Sequence, residues 1–161
     1  MQQTLTPEEF LAVVDKTPLV SMDLVVRDQQ RRVLLGIRVN EPARGFWFVP
    51  GGRIMKGETL DEAFSRISVK ELGVHSSLAD ARLFGAFTHQ YDTNFAGIPE
   101  IGTHYVVLAY ELELELELAL DFDQIPQLEH SNYRWWTSSE ATSSEDVHPN
   151  NLPYFLLAEG A

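Results

Sequence analysis

The stretch from Gly51 to Val74, GGRIMKGETLDEAFSRISVKELGV, constrains this chain more than any other segment. It follows a short aromatic strand, Phe46 to Val49, which stops abruptly at Pro50-Gly51-Gly52. Thr59-Leu60-Asp61-Glu62 then has capping-box spacing, in which the threonine hydroxyl and the glutamate carboxylate each accept from the other residue's amide. Leu60, Ala63, Phe64 and Ile67 fall on one face of the helix that follows. Leu72-Gly73 ends it, because glycine takes the left-handed C-cap conformation. The unit is therefore strand, glycine turn, loop and amphipathic helix. Its glycines let backbone groups approach a ligand closely, and acids at helical spacing can hold a hard divalent cation.

The flanking segments supply a sheet for that helix. Thr6-Pro7-Glu8-Glu9 reads as an N-cap, a first-turn proline and early acids, opening a short helix to about Val14. Strands are expected from Leu19 to Val26 and Val33 to Ile37, joined as a hairpin by a polar turn. Leu83 to Thr88 and His104 to about Leu120 also read as strands. In the latter, ELELELELAL puts its leucines on one face only if it is extended, so pattern overrides the helix preference of glutamate. A loop from Asp121 to Ser131 leads to the strand YRWWT, and a short helix is expected from Leu152 to Ala158. Strands interrupted by one well-formed helix give an α+β fold, an α/β/α sandwich with a mixed sheet. Residues 1–161 are read as one domain, long enough to bury a sizeable core.

Charge and composition then exclude several roles. The formal net charge of -12 opposes binding to nucleic acid or an anionic membrane surface. No apolar run reaches the roughly 20 residues that span a bilayer, and MQQTLTPEEF lacks a signal peptide's basic and apolar regions. With no cysteine there is no disulfide framework or thiolate chemistry, which fits a cytoplasmic location. An acidic protein can still take a phosphorylated ligand where a metal ion and a few arginines reverse the field locally.

Gly52, Glu58, Arg66, Glu71, Gly73 and Val74 match, at the required spacings, the Nudix box G-x5-E-x7-R-E-U-x-E-E-x-G-U, where U is a bulky aliphatic. The stretch 52–74 thus resembles the catalytic loop-helix of the Nudix hydrolases, and the resemblance implies their fold. Three positions depart from it: Ile67, Ser68 and Lys70 stand where the box has glutamate, an aliphatic and glutamate. An ordinary Nudix helix aims three carboxylates at its metals from these neighbouring turns, whereas this one retains Glu71 alone. A single ion is therefore expected.

These departures resemble one branch, the GDP-mannose mannosyl hydrolases. So do TPLVSMDLVV, VLLGIR, PARGFWFVPGGR, HQYDTNFAG, THYVVL, EHSNYRW and DVHPN, from about Phe10 to Phe155. The resemblance implies water attack at the anomeric carbon of GDP-mannose or GDP-glucose, releasing GDP and the sugar with inversion. It also implies one Mg2+ per subunit, with Mn2+ able to substitute, and a homodimer. Gly51, Glu71 and Glu129 correspond to the metal ligands, with Glu129 standing where the branch usually has glutamine. His130 corresponds to the general base. Arg38, Arg53 and Tyr105 correspond to the groups that hold the diphosphate, and Asp23 lies beside the reacting sugar. His89 and His104 are candidates for sugar contacts, and Leu5 and Phe10 correspond to the branch's guanine-binding region. Without the resemblance, Arg38 and Arg53 would read as surface ion pairs and Asp23 as a paired structural carboxylate. Two alternatives stay open: a diphosphatase yielding a nucleoside monophosphate and a sugar phosphate, and a non-catalytic nucleotide-sugar binder. The aromatics Phe46, Trp47, Phe48, Trp135 and Trp136 are read as core rather than base-stacking groups.

Overall fold

Strand β1 (Leu19–Arg27) is the axis of the computed structural model, which describes residues 4–113, 122, 124–127 and 129–156. Its alternating side chains enter two different cores, as the period of a strand dictates. Met22, Leu24 and Val26 pack on Ala63, Phe64, Ile67 and Leu72 of helix α2 (Leu60–Leu72). Val25 faces the other way, into a cluster with Ala141 of α3 (Ser138–Ser143) and Tyr154 and Phe155 of α4 (Leu152–Leu156). Helices cover both faces of one mixed sheet, so the expected α/β/α sandwich is found.

The described sheet has seven strands. β1 pairs in parallel with β6 (Thr103–Glu113) from Leu19↔Tyr105 to Arg27↔Glu113, and β6 pairs antiparallel with β5 (Arg82–Tyr91). β2 (Val33–Arg38) pairs with β3 (Trp47–Phe48) and with β7 (His130–Trp136). The expected β1–β2 hairpin reduces to one register pair, Arg27↔Val33. Its place is taken by β4 (Gly51–Arg53), which lies against β1 in the register Ser21↔Arg53 to Asp23↔Gly51. The glycine turn read from the sequence is thus itself a strand, and it carries the ligand loop onto the axis of the sheet.

Several boundaries move. Helix α1 (Pro7–Lys16) has its own capping box between Thr6 and Glu9 and runs two residues beyond the expected end. Helix α2 begins and ends as read, with Thr59 and Glu62 capping each other and Gly73 left-handed at φ 72°. His130 and Ser131 belong to β7 rather than to a loop, because Arg38↔His130 and Ile37↔Ser131 are paired across the sheet. The leucine-glutamate run is a strand through Glu113, and its continuation lies outside the described residues, as does the expected C-terminal extension of α4. Phe48 and Trp136 are core, as expected, whereas Phe46 is exposed.

Candidate active site

Two adjoining cavities open where β1, β4, β6 and β7 meet the start of the chain. The inner one is lined by Asp23, Arg38, Gly51, Arg53, His89, Tyr105 and His130. The outer one, about 620 Å3, shares Arg38, Gly51, Arg53 and Tyr105 and adds Phe10, Glu71 and Glu129. The site residues expected from the sequence line one of them with two exceptions, of which Leu5 is exposed ahead of α1. His104 also lies outside both linings.

His130 is 1% exposed and its Nδ1 stands 3.5 Å from Oε2 of Glu71, itself buried. Burial pulls the imidazole below its ordinary pKa, and Glu71 works against that shift. The ring is therefore neutral near pH 7, the form that can accept a proton. Its position depends on Gly36, where a Cβ would lie 2.8 Å from His130 Cβ and 2.8 Å from the Tyr133 ring. A register shift between Leu35 and Ile37, with Asn132 at φ 51°, turns β7 at this point.

The oxygen donors Gly51, Glu71 and Glu129 share the outer cavity. A carbonyl and two carboxylates suit magnesium, which commonly takes one or two carboxylates and completes its shell with water and substrate phosphate. Glu71 is buried and has no lysine or arginine ion pair among the described residues. Glu129 is shared among Asn40 Nδ2 at 3.1 Å, Lys70 Nζ at 3.8 Å and Arg38 at 3.9 Å. The residues fit one divalent ion; among the described residues no three acidic or histidine side chains converge as a metal cluster. Ile67 is buried in the core and Lys70 lines the outer cavity, so α2 presents a single acid to it.

Glu58 and Arg66 of the box hold its loop together. Arg66 Nε and Nη2 reach the Glu58 carboxylate at 2.5 and 2.9 Å, and Nη2 also donates to the carbonyl of Arg53 at 2.8 Å. That contact fixes the backbone behind the Arg53 guanidinium, which lies 4.2 Å from the Phe10 ring centroid. Burial lowers the pKa of Arg53 and raises that of Tyr105, which the nearby Arg38 and Arg53 oppose. Two arginines and a phenol bordering one cavity can grip a diphosphate. Phe95, from the loop after β5, meets Phe10 at 4.8 Å between ring centroids and completes an apolar rim.

Asp23 is buried on the floor, and burial raises its carboxyl to about 7 against the opposing Tyr154 hydroxyl and Arg38. Gly51 cannot be replaced here, since a Cβ would come within 2.5 Å of the Met22 carbonyl and 2.8 Å of Asp23 Oδ1. His89 is 4% exposed, and burial lowers its pKa to about 4. Sequence reading missed Gly36, Phe95 and Tyr154. Gly36, inside VLLGIR, and Phe95, inside HQYDTNFAG, lie in stretches that carry the resemblance, whereas Tyr154 lies in none of them.

Comparison with known proteins agrees with this geometry. The family model described as NUDIX domain matches residues 17–157. A Haloferax volcanii protein named low-salt glycan biosynthesis protein Agl8 is 49% identical over 109 residues, 67% of each chain. Among solved structures, the MutT protein of Methanosarcina mazei Go1 superposes with a TM-score of 0.66 at 17% identity, covering 90% of this chain and 96% of that one. The NUDIX domain of Shewanella oneidensis NrtR, solved with ADP ribose, gives 0.64 at 21% identity over 98% and 100%. At these identities the structures speak for the fold. With a box at the right spacings, a matched sandwich and a family model covering residues 17–157, this chain belongs to the NUDIX family, as a hydrolase of nucleoside diphosphate derivatives.

Proposed function

We propose that this chain hydrolyses a GDP-sugar, GDP-mannose or its relative GDP-glucose, at the anomeric carbon, releasing GDP and the free sugar with inversion. One observation carries the reading: α2 offers Glu71 alone to the cavity, with Ile67 in the core and a cationic Lys70 at the other acidic position. A helix so depleted lacks the ligands for a multi-metal attack on phosphorus. The name of the Haloferax relative points the same way, because glycans are assembled from nucleotide-activated sugars.

The residues divide the work as follows. Arg38, Arg53 and Tyr105 bind the diphosphate, while Phe10 and Phe95 border the nucleoside end. A divalent ion, magnesium or manganese, held by Gly51, Glu71 and Glu129 would supply positive charge to the GDP leaving group. Glu71 beside Nδ1 favours the His130 tautomer with its proton there, leaving Nε2 to take a proton from water. Water so activated attacks from the sugar face opposite the leaving group, as inversion requires. Asp23 lies in the same inner cavity, where its carboxylate stabilises positive charge developing at the anomeric carbon. His89 borders the sugar. The enzyme works in the cytoplasm as a homodimer.

Hydrolysis in heavy-oxygen water tests this directly. We expect the label in free mannose and none in phosphate, read by mass spectrometry. Label in GMP or in mannose phosphate would replace this reading with the ordinary diphosphatase.

A further inference from the structure

Tyr154 is the largest fully buried side chain among the described residues, and nothing in its local sequence assigns it a role. Its ring is boxed edge-on by Phe87 at 5.3 Å and Phe84 at 6.1 Å. Its hydroxyl donates to Asp23 Oδ2 at 2.5 Å, and its backbone carbonyl accepts from Arg27 Nη2 at 2.7 Å. Asp23, Val25 and Arg27 alternate along β1, so one face of a single strand grips the tyrosine at both ends. Arg27 is itself braced by Glu111 of β6, 3.1 Å from its Nε.

This arrangement is more than a packed aromatic requires. Helix α4 has only five residues, too short to hold its own position in water. Its place is set by these contacts and by Asn151, whose side chain accepts from the amide of Val49 at 3.0 Å and donates to the Trp47 carbonyl at 3.3 Å. The phenol therefore arrives at Asp23 on a mount fixed from β1 and from the residues just before β4. A carboxylate can accept on either oxygen and turn about its own axis. The Tyr154 hydroxyl holds Oδ2, and Oδ1 lies on the side of Gly51 where a Cβ would come within 2.8 Å, so the tyrosine contact sets which oxygen is left towards the cavity.

We propose that Tyr154 is the positioning residue for Asp23, holding its carboxylate in the one orientation that faces the reacting sugar. The inference rests on the proposed glycosyl hydrolysis, in which Asp23 acts at the anomeric carbon. Tyr154 acts only through Asp23: it does not line either cavity.

A double-mutant cycle on the full chain tests it, with GDP-mannose as substrate, magnesium present, and melting temperature followed throughout. Tyr154→Phe keeps the ring and removes only the hydroxyl. It should lower kcat about 10-fold or more, towards the roughly 10²-fold that misplacement by an ångström costs, with KM and the affinity for GDP near native. In an Asp23→Asn background the same change should cost nothing further, because the carboxylate it serves is already gone. Near-native kcat in Tyr154→Phe would overturn the proposal. So would additive losses in the double variant, which would make the hydroxyl a structural contact only. Failure of the underlying reading shows elsewhere, in wild-type protein that produces no free sugar. The cycle is then read on the hydrolysis the wild type does perform, and additivity there overturns the positioning role equally.

Discussion

His130 packs against the sheet because Gly36, two residues before its partner Arg38 on the neighbouring strand, has no side chain. A Cβ at Gly36 would come within 2.8 Å of both the His130 Cβ and the Tyr133 ring, so only glycine lets the two side chains pack here. Burial then favours the neutral ring, with Glu71 beside it, which is the form the proposed general base requires. His130→Gln should therefore lower kcat by roughly 10²–10⁴-fold while metal and GDP affinity stay close to native. The pH profile sharpens the test. Wild-type activity should climb as the imidazole loses its proton, on a limb below the ordinary histidine value near 6.5, and the variant should lack that limb. His75→Gln is the matched control, since His75 lies past the end of α2 and outside both cavities. A variant with near-native kcat and an unchanged profile would remove His130 as the base.

Helix α2 separates its two glutamates by face. Glu62 turns back to the helix start, its Oε2 accepting from the amide of Thr59 at 2.7 Å, while Glu71 is buried beside His130. Replacing them should have different consequences. Glu71→Gln should weaken magnesium binding and activity together, measured by titration calorimetry and turnover. Glu62→Gln should cost up to about 1 kcal/mol of stability through the weakened cap and leave metal affinity alone. Equal losses of metal affinity would place the metal on the wrong face of the helix. Capping of this kind is readable from sequence because it spans four residues. The same spacing in Thr137-Ser138-Ser139-Glu140 starts α3, an element absent from the sequence reading. That helix has six residues and one buried side chain, Ala141, so no apolar stripe announced it.

Across the whole molecule, the sheet divides an α2 core from a core built on α3 and α4, and the inner cavity lies on the second side with His89 in its wall. His89 has a consequence for stability. Its folded pKa is lowered to about 4 by burial, whereas an unfolded histidine titrates near 6.5. Between these values the unfolded chain binds the proton and the folded one does not, so stability is full above about 6.5 and lost as pH falls towards 4. One proton contributes at most about 1.4 kcal/mol per pH unit. His148, lowered in the same direction by burial, adds to it. Asp23, raised to about 7, acts in the opposite sense over the same window, so the test compares proteins: across that window the urea midpoint of His89→Asn should drop less on acidification than that of the wild type. An unchanged slope in the variant would mean that His89 is not the group responsible.

The local features of this protein were written in short stretches of sequence: the caps at Thr6 and Thr59, the left-handed stop at Gly73, and the alternation along β1. Each depends on neighbours a few residues apart, and the box spacing with its missing acids belongs to the same class. The resemblance, carried by the box together with the other stretches, named twelve candidate site residues, and all but Leu5 and His104 line the cavities. Tertiary structure alone decided which edges pair. β4 took the place along β1 that a simple hairpin would have filled, and His130 was drawn from a loop onto a strand by its pairing with Arg38. It also decided that Asp23 meets a hydroxyl 131 residues away. Such contacts have no local signature, because they form only when distant segments compete for the same edge and one packing buries the most apolar surface.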